Sequence, residues 1–174
     1  MVLKKVNAII ALIVSLVMMI HNTMNMQMVR LGRVEDSPKM IARALIFFFI
    51  IHAFVSIFII IFKNDGKETK YTNISSGWLV QRITGIALLP IVIIHGFLNV
   101  GDFGLQVIHI IIIQVVIMLL SYIHIPIAVP NALVTLGFID NIKTHKVVRL
   151  ALWVVCVALF IINLIPCVMV VIAL

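Results

Sequence analysis

Residues 78–97 read WLVQRITGIALLPIVIIHGF, an apolar stretch with one charged residue, Arg82, near its start and one histidine, His95, near its end. A helix needs about 20 mostly apolar residues to cross the roughly 30 Å hydrocarbon core of a bilayer. Trp78 stands at the end where an interfacial aromatic residue is expected. The stretch therefore predicts a transmembrane helix that carries an imidazole within the membrane.

The rest of the chain has the same character. Of its 174 residues, 64% are hydrophobic and 11% are charged, whereas a soluble domain has about 25% charged residues. The alternating pattern of a transmembrane β-barrel is absent. We expect one all-α domain over residues 1–174, an integral membrane bundle of five transmembrane helices. Their predicted positions are residues 6–28, 40–62, 78–100, 105–137 and 147–173.

The fourth of these segments is too long for a straight crossing. It contains Pro126 and Pro130. Proline removes one backbone hydrogen bond and crowds the preceding turn. We expect these prolines either to kink the helix or to let it extend beyond the membrane on the inner side.

The formal net charge of +7 is explained by topology, because the basic residues flank the apolar segments, and it does not indicate a nucleic-acid partner. Cytoplasmic loops carry an excess of Lys and Arg. Nine basic residues fall on one predicted side and four on the other, so we expect a multi-pass protein of the cytoplasmic membrane with a cytoplasmic N-terminus. The nine are Lys4, Lys5, Lys63, Lys67, Lys70, Arg82, Lys143, Lys146 and Arg149, and the four are Arg30, Arg33, Lys39 and Arg43.

All six acidic residues fall in predicted loops: Glu35, Asp36, Asp65, Glu68, Asp102 and Asp140. Proton pumps and many ion transporters use a carboxylate within the bilayer. The pattern therefore argues against a pump or transporter built on such an acid.

Four of the six histidines lie one each on the first four segments: His21, His52, His95 and His124. A single intramembrane histidine is more often a packing hydrogen-bonder than a ligand. From the 1.5 Å rise per residue, His21 and His95 lie about 24 and 25 Å above the inner ends of their helices. His52 lies about 16 Å above the inner end of its helix, and His124 also lies in the inner half. Two imidazoles facing each other across a bundle are what a bis-histidine haem requires.

The depths predict two pairs, His21 with His95 at the outer level and His52 with His124 at the inner level. A weak repeat agrees, because LIVSLVMMIHNTMN (12–25) aligns with ALLPIVIIHGFLNV (87–100) on the histidines. IIHAF (50–54) and YIHIP (122–126) occupy matching places. Helices I–IV would then be a haem-binding two-helix unit used twice, with helix V closing the bundle.

Small residues stand where a flat ligand would need room. Gly85 and Ala11 each lie ten residues before a histidine, His95 and His21. Both could face the inner pair, although small residues in membrane helices usually serve helix packing.

The remaining two histidines are read differently. His109 is expected to be an interfacial residue, or else part of a quinone site near the outer pair. His145 lies in a basic inner loop, THK (144–146), and is expected to be solvated or to contact a partner.

The stretch WLVQRITGIALLPIVIIHGF (78–97) resembles the haem-bearing helix of succinate dehydrogenase and fumarate reductase cytochrome b subunits, in particular the five-helix, two-haem type. There a Trp-x-x-Gln-x-x-Thr-Gly start precedes an axial histidine. IIHAF (50–54) is similar to the second ligand helix, and LVMMIH (16–21) matches the first more loosely. In helix number, order and ligand placement the resemblance covers essentially the whole chain, although only the third helix is distinctive.

The resemblance implies roles for seven residues. His21 and His95 would bind the iron of an outer haem b, and His52 and His124 that of an inner haem b. Trp78 would lie beside the inner haem propionates, Arg82 would border a propionate or a quinone, and Asn7 could reach the same propionates. The alternative for Trp78 and Arg82 is an interfacial aromatic residue and a snorkelling charge.

The resemblance also implies a function. The chain would be the membrane anchor and electron-transfer subunit of a succinate:quinone oxidoreductase or fumarate reductase. It would pass electrons between a membrane quinone, by resemblance menaquinone, and an iron–sulfur subunit and a flavoprotein subunit on the cytoplasmic side. The dicarboxylate chemistry would belong to those partners, because this sequence has no Gly-rich dinucleotide fingerprint and no cysteine cluster.

One departure concerns protons. Some members of that family carry a glutamate two residues before the fourth ligand, where this chain has Tyr122.

Two other functions stay open: the cytochrome b subunit of another quinone-linked complex, of formate dehydrogenase or hydrogenase type, and a non-redox membrane transporter or anchor with packing histidines.

Overall fold

The computed structural model describes residues 2–31, 37–62, 75–100 and 107–173. They form five α-helices: α1 (Val2–Leu31), α2 (Ser37–Phe62), α3 (Ser75–Val100), α4 (Val107–Leu136) and α5 (Ile142–Ala173). Each contains a segment long and apolar enough to cross a membrane. The expected all-α bundle of five membrane-spanning helices is therefore confirmed.

The helices form a ring of four with the fifth outside it. Contacts run from α1 to α2, from α2 to α3, from α3 to α4 and from α4 back to α1. Within the described residues the backbones of α1 and α3 are not neighbours, and neither are those of α2 and α4, so each of these pairs is diagonal across the ring. Helix α5 packs on α1 and α4 and covers the groove between them.

Two apolar clusters hold this arrangement together. One lies inside the ring and joins all four of its helices: Val14, Met18, Leu45, Phe49, Leu88, Val92 and Ile117. The other joins α5 to α1 and α4: Met26, Met118, Tyr122, Ile125, Cys156 and Cys167. Large apolar side chains on the outer faces of the helices remain exposed, as expected where lipid covers a membrane protein.

Helix α4 runs unbroken from Val107 to Leu136 through Pro126 and Pro130. Both proline side chains are fully buried between helices, and tertiary packing of this kind allows membrane helices to tolerate proline. A helix of this length extends about 45 Å, which is longer than the roughly 30 Å thickness of the hydrocarbon core.

A tight turn joins α4 to α5. Gly137 ends α4 with a φ of 89°, a conformation that glycine adopts without steric cost. The amides of Gly137 and Phe138 donate to the carbonyls of Val134 and Leu133, which is the usual left-handed helix cap. The side chain of Asn141 accepts from the Thr144 amide at 2.8 Å, so α5 begins earlier than the sequence predicted.

Candidate functional site

A partly open cavity of about 300 Å³ lies between the four ring helices, toward one end of the bundle. Lys4 of α1, Trp78 of α3 and Thr135 of α4 lie around it together. The start of α1, the start of α3 and the end of α4 are therefore on the same side, which is the side predicted to be cytoplasmic. Polar and small side chains of the lining include Asn7, Ala11, His52, Ser56, Gln81, Arg82, Gly85, His124, Ala128 and Asn131.

His52 reaches the cavity from α2 and is held by α1. Its Nδ1 lies 3.0 Å from the Asn7 Oδ1, and the Asn7 amide nitrogen donates to Ser56 Oγ at 3.1 Å. An amide oxygen can only accept, so the His52 Nδ1 carries the proton. The other ring nitrogen, Nε2, is then the one with a lone pair.

His124 reaches the cavity from α4, on the diagonal from His52, and is held by α3. Its Nδ1 lies 2.9 Å from Thr84 Oγ1. The Thr84 hydroxyl donates its proton to the Val80 carbonyl at 2.7 Å, so its oxygen accepts from the imidazole N–H. His124 therefore also presents Nε2 as its lone-pair nitrogen.

Gly85 makes room for the His124 ring. A Cβ added at Gly85 would lie 3.1 Å from His124 Cε1, closer than an ordinary van der Waals contact. The sequence predicted that Gly85 and Ala11 could face the inner pair, and both line this cavity.

Basic and aromatic groups gather at the inner end of the cavity. The Arg82 guanidinium stacks over the Trp78 ring at 3.7 Å from its centroid, a favourable cation–π arrangement. Lys4 joins them in the lining. Trp78 is 38% exposed and also borders the cavity.

Sequence analysis did not predict a series of hydrogen-bonded side chains that lies behind this end of the cavity. Asn131 donates to Gln81 Oε1 at 2.8 Å and its own Oδ1 lies 3.2 Å from His145 Nε2. His145 is 3% exposed, so the expectation of a solvated loop residue is wrong. The early start of α5 places His145 on a helix that packs against α4, and no local sequence pattern shows that packing.

The residues of the cavity fit a bis-histidine haem. Haem b is a flat, largely apolar ring with two carboxylates on one edge. Two imidazoles come from diagonal helices and direct Nε2 lone pairs away from their hydrogen-bonded Nδ1 atoms, which is how metal-ligating histidines are usually oriented. Lys4 and Arg82 lie at the end where carboxylates would need cations.

The other predicted pair lies nearer the opposite end. His95 is partly buried and within electrostatic range of His21. His21 is 8% exposed. Its Nε2 lies 2.9 Å from the Asn25 amide nitrogen, and its Nδ1 is buried with no hydrogen-bond partner in the part of the chain that the structure describes. The Asn25 amide would have to leave before Nε2 could bind a metal, so this pair is less preorganised than the inner one.

Sequence analysis could identify some of the residues that line the cavity. Trp78, Gln81, Arg82 and Gly85 all line the cavity, and their i, i+3, i+4, i+7 spacing is one face of a helix. His109 is exposed on α4, as its interfacial reading requires. Asn7 was expected to serve propionates, and its contact with His52 could not be read from the sequence.

Comparison with protein-family models, with curated proteins and with solved structures finds no significant match.

Proposed function

We propose that this chain is a dihaem cytochrome b, the membrane anchor and electron-transfer subunit of a succinate:quinone oxidoreductase or fumarate reductase. The observation that carries the proposal is the inner cavity. Two histidines from diagonal helices, His52 and His124, line one cavity with their Nδ1 atoms already bonded.

In this proposal, different residues of the chain hold the histidines, border the carboxylates of the haem and surround its apolar ring. Haem b, when bound, supplies a one-electron redox centre. Asn7 and Thr84 hold the imidazoles of His52 and His124 in one tautomer and raise their basicity. Arg82 and Trp78 border the edge of the cavity where carboxylates would lie. Met18, Phe49 and Leu88 of the apolar cluster inside the ring also line the cavity and supply apolar surface for the haem ring.

The outer pair, His21 and His95, completes the proposal as the second haem site. In our proposal electrons pass between a membrane quinone, for which we expect menaquinone, and an iron–sulfur subunit that works with a flavoprotein subunit. Those partners bind on the side where α1 begins, the cytoplasmic side of the cell membrane. Six basic residues assigned to that side are among the described residues and support this orientation: Lys4, Lys5, Arg82, Lys143, Lys146 and Arg149.

The test is a reduced-minus-oxidised spectrum of the purified chain with a haem-to-protein ratio. We expect two b haems per chain. His124→Ala should remove the inner haem and spare the outer one, and His95→Ala should do the reverse. His109→Ala is a matched control on α4, where this exposed side chain should leave both haems in place.

A colourless protein would contradict the proposal and favour a non-redox transporter or anchor with packing histidines. Two haems without a flavoprotein partner would favour a cytochrome b of formate dehydrogenase or hydrogenase type. Co-purification with its partners and succinate-dependent reduction of a quinone separate these two redox functions.

A further inference from the structure

A second group of polar side chains lies within the bundle, apart from the cavity, where α5 meets α1 and α4. Its centre is the Tyr122 hydroxyl, which accepts from Asn163 Nδ2 at 2.9 Å. Asn22 and Thr23 of α1 also lie beside this hydroxyl. Gln114 of α4 donates to Asn22 Oδ1 at 3.4 Å.

The two asparagines are the most buried polar residues in this group. Asn163 is 0% exposed and Asn22 is 1% exposed. Among the described residues, Asn22 Nδ2, a donor, and Asn163 Oδ1, an acceptor, have no partner in hydrogen-bond geometry. Buried polar groups are nearly always paired, with protein or with ordered water, so two such atoms beside one hydroxyl require an explanation.

Reorienting the amides does not remove the problem. Each amide has a donor end and an acceptor end, and the surrounding protein pairs only one end of each. Turning Asn163 by 180° would pair its oxygen with the tyrosine hydroxyl and leave its nitrogen without a partner. The nearby Thr23 hydroxyl donates its proton to the Met19 carbonyl of its own helix at 2.9 Å, so it has no proton left for Asn163 Oδ1.

We propose that this cluster is an internal water-binding site that joins α5 to α1. The bound water accepts from Asn22 Nδ2 and donates to Asn163 Oδ1, next to the Tyr122 hydroxyl. Water has both a donor and an acceptor, which matches the opposite polarity of the two atoms, and a buried water typically makes about three hydrogen bonds. An apolar ligand has no donor or acceptor, so it would leave both amide ends unpaired.

The site is separate from the inner cavity, because none of Asn22, Tyr122 and Asn163 lines that cavity. It also gives α5 a role besides covering the ring. Direct interhelical hydrogen bonds alone are the alternative, and they predict a dry cluster.

The experiment is X-ray radiolytic labelling of the full chain in lipid nanodiscs, read by mass spectrometry. Radiolysis of an ordered water oxidises the reactive side chain beside it. We expect oxidation of Tyr122, although this residue is only 3% exposed. Phe54, which is 68% exposed in the middle of α2 and faces lipid, is the dry reference. Oxidation of Tyr122 no faster than that of Phe54 would overturn the proposal.

A variant localises the water. Asn163→Leu removes the acceptor, so oxidation of Tyr122 should fall to the level of Phe54. Thr144→Val, a change at an exposed position of α5, should leave it unchanged. Unchanged oxidation of Tyr122 in Asn163→Leu would place the water elsewhere and overturn the assignment. If that variant does not fold, the wild-type comparison of Tyr122 with Phe54 still decides whether the cluster is wet.

Discussion

At the scale of single residues, the informative feature is which ring nitrogen of each inner histidine is bonded. His52 and His124 both use Nδ1, toward Asn7 and Thr84. The two partners differ in chemistry, an amide oxygen and a hydroxyl whose proton is already donated. Both leave Nε2 as the lone-pair atom, so two different helices present the same ring nitrogen as a potential metal ligand.

Thr84→Val tests one of these partners. Valine has nearly the same shape but cannot accept from the His124 Nδ1–H. Loss of such a partner typically weakens metal affinity about 10–100-fold, and a less basic imidazole stabilises the oxidised iron less. We expect weaker retention of the inner haem and a higher midpoint potential for it, measured by haem titration and potentiometry, with the outer haem unchanged.

Thr135→Val is the matched control. The Thr135 hydroxyl also donates to a carbonyl four residues before it, that of Asn131, at 2.9 Å, but it holds no histidine. This control should keep the wild-type potential. If Thr84→Val kept it as well, the proposed orientation of His124 would be wrong.

Gly85→Ala tests the room beside the His124 ring. The added methyl group would lie 3.1 Å from His124 Cε1, so the imidazole has to tilt. We expect a lower content of inner haem or a changed electron paramagnetic resonance signal from it, and a larger loss in Gly85→Leu. Ala158→Leu, at an exposed position of α5, controls for added bulk in a membrane helix. Full inner haem in Gly85→Leu would contradict this account.

The sequence could predict which histidines matter more readily than what surrounds them. Their depths follow from helix rise alone, and Gly85 and Ala11 follow from spacing. The partners Asn7 and Thr84 lie on other helices, 45 and 40 residues away in the chain. No local pattern encodes such a contact, since it depends on how the helices rotate about their axes when they pack. The burial of His145 was missed for the same reason.

At the scale of elements, the described residues include the connection between α4 and α5. Gly137 ends one helix and Asn141 begins the next. Sequence analysis placed the fifth segment at 147–173 from its hydropathy. The helix begins at Ile142, because the Asn141 cap allows a polar first turn that hydropathy does not detect.

Asn141→Ala should destabilise the start of α5. The alanine cannot accept from the Thr144 amide, and loss of a helix N-cap costs about 1 kcal/mol. We expect a lower midpoint of thermal unfolding in detergent, followed by circular dichroism. Asn141→Asp keeps an accepting oxygen and should stay close to the wild type. Equal destabilisation by both changes would show that the cap is not the cause.

At the scale of the whole molecule, composition and hydropathy were sufficient to predict five helices in a membrane. They were not sufficient to predict that α1 and α4 close the ring, or that α5 lies outside it. That order depends on which lateral faces pack, and lipid is as apolar as the faces themselves. The polar residues at the junction of α5 with α1 and α4 are recognisable only in three dimensions.

Sidedness is testable on the complete bundle. In a chain with Cys156→Ala and Cys167→Ala, the substitution Phe138→Cys puts a thiol on the turn between α4 and α5, where Phe138 is 75% exposed. We expect a membrane-impermeant maleimide to label it in inside-out vesicles and not in intact cells or spheroplasts. Ala158→Cys in the same background, facing lipid, should resist the reagent in both. Labelling of Phe138→Cys from outside would reverse the predicted topology.

The hydrogen bonds of the inner cavity have a consequence for biosynthesis. Asn7, His52 and Ser56 bond to one another within the hairpin of α1 and α2. Thr84 and His124 do so within the hairpin of α3 and α4. An unpaired polar group in hydrocarbon is costly, and these groups of the cavity are paired without a partner from the other hairpin. The hydrogen bond from Gln114 to Asn22 does join the two hairpins, so it can form only after α4 has been inserted, which is also when the cavity is complete.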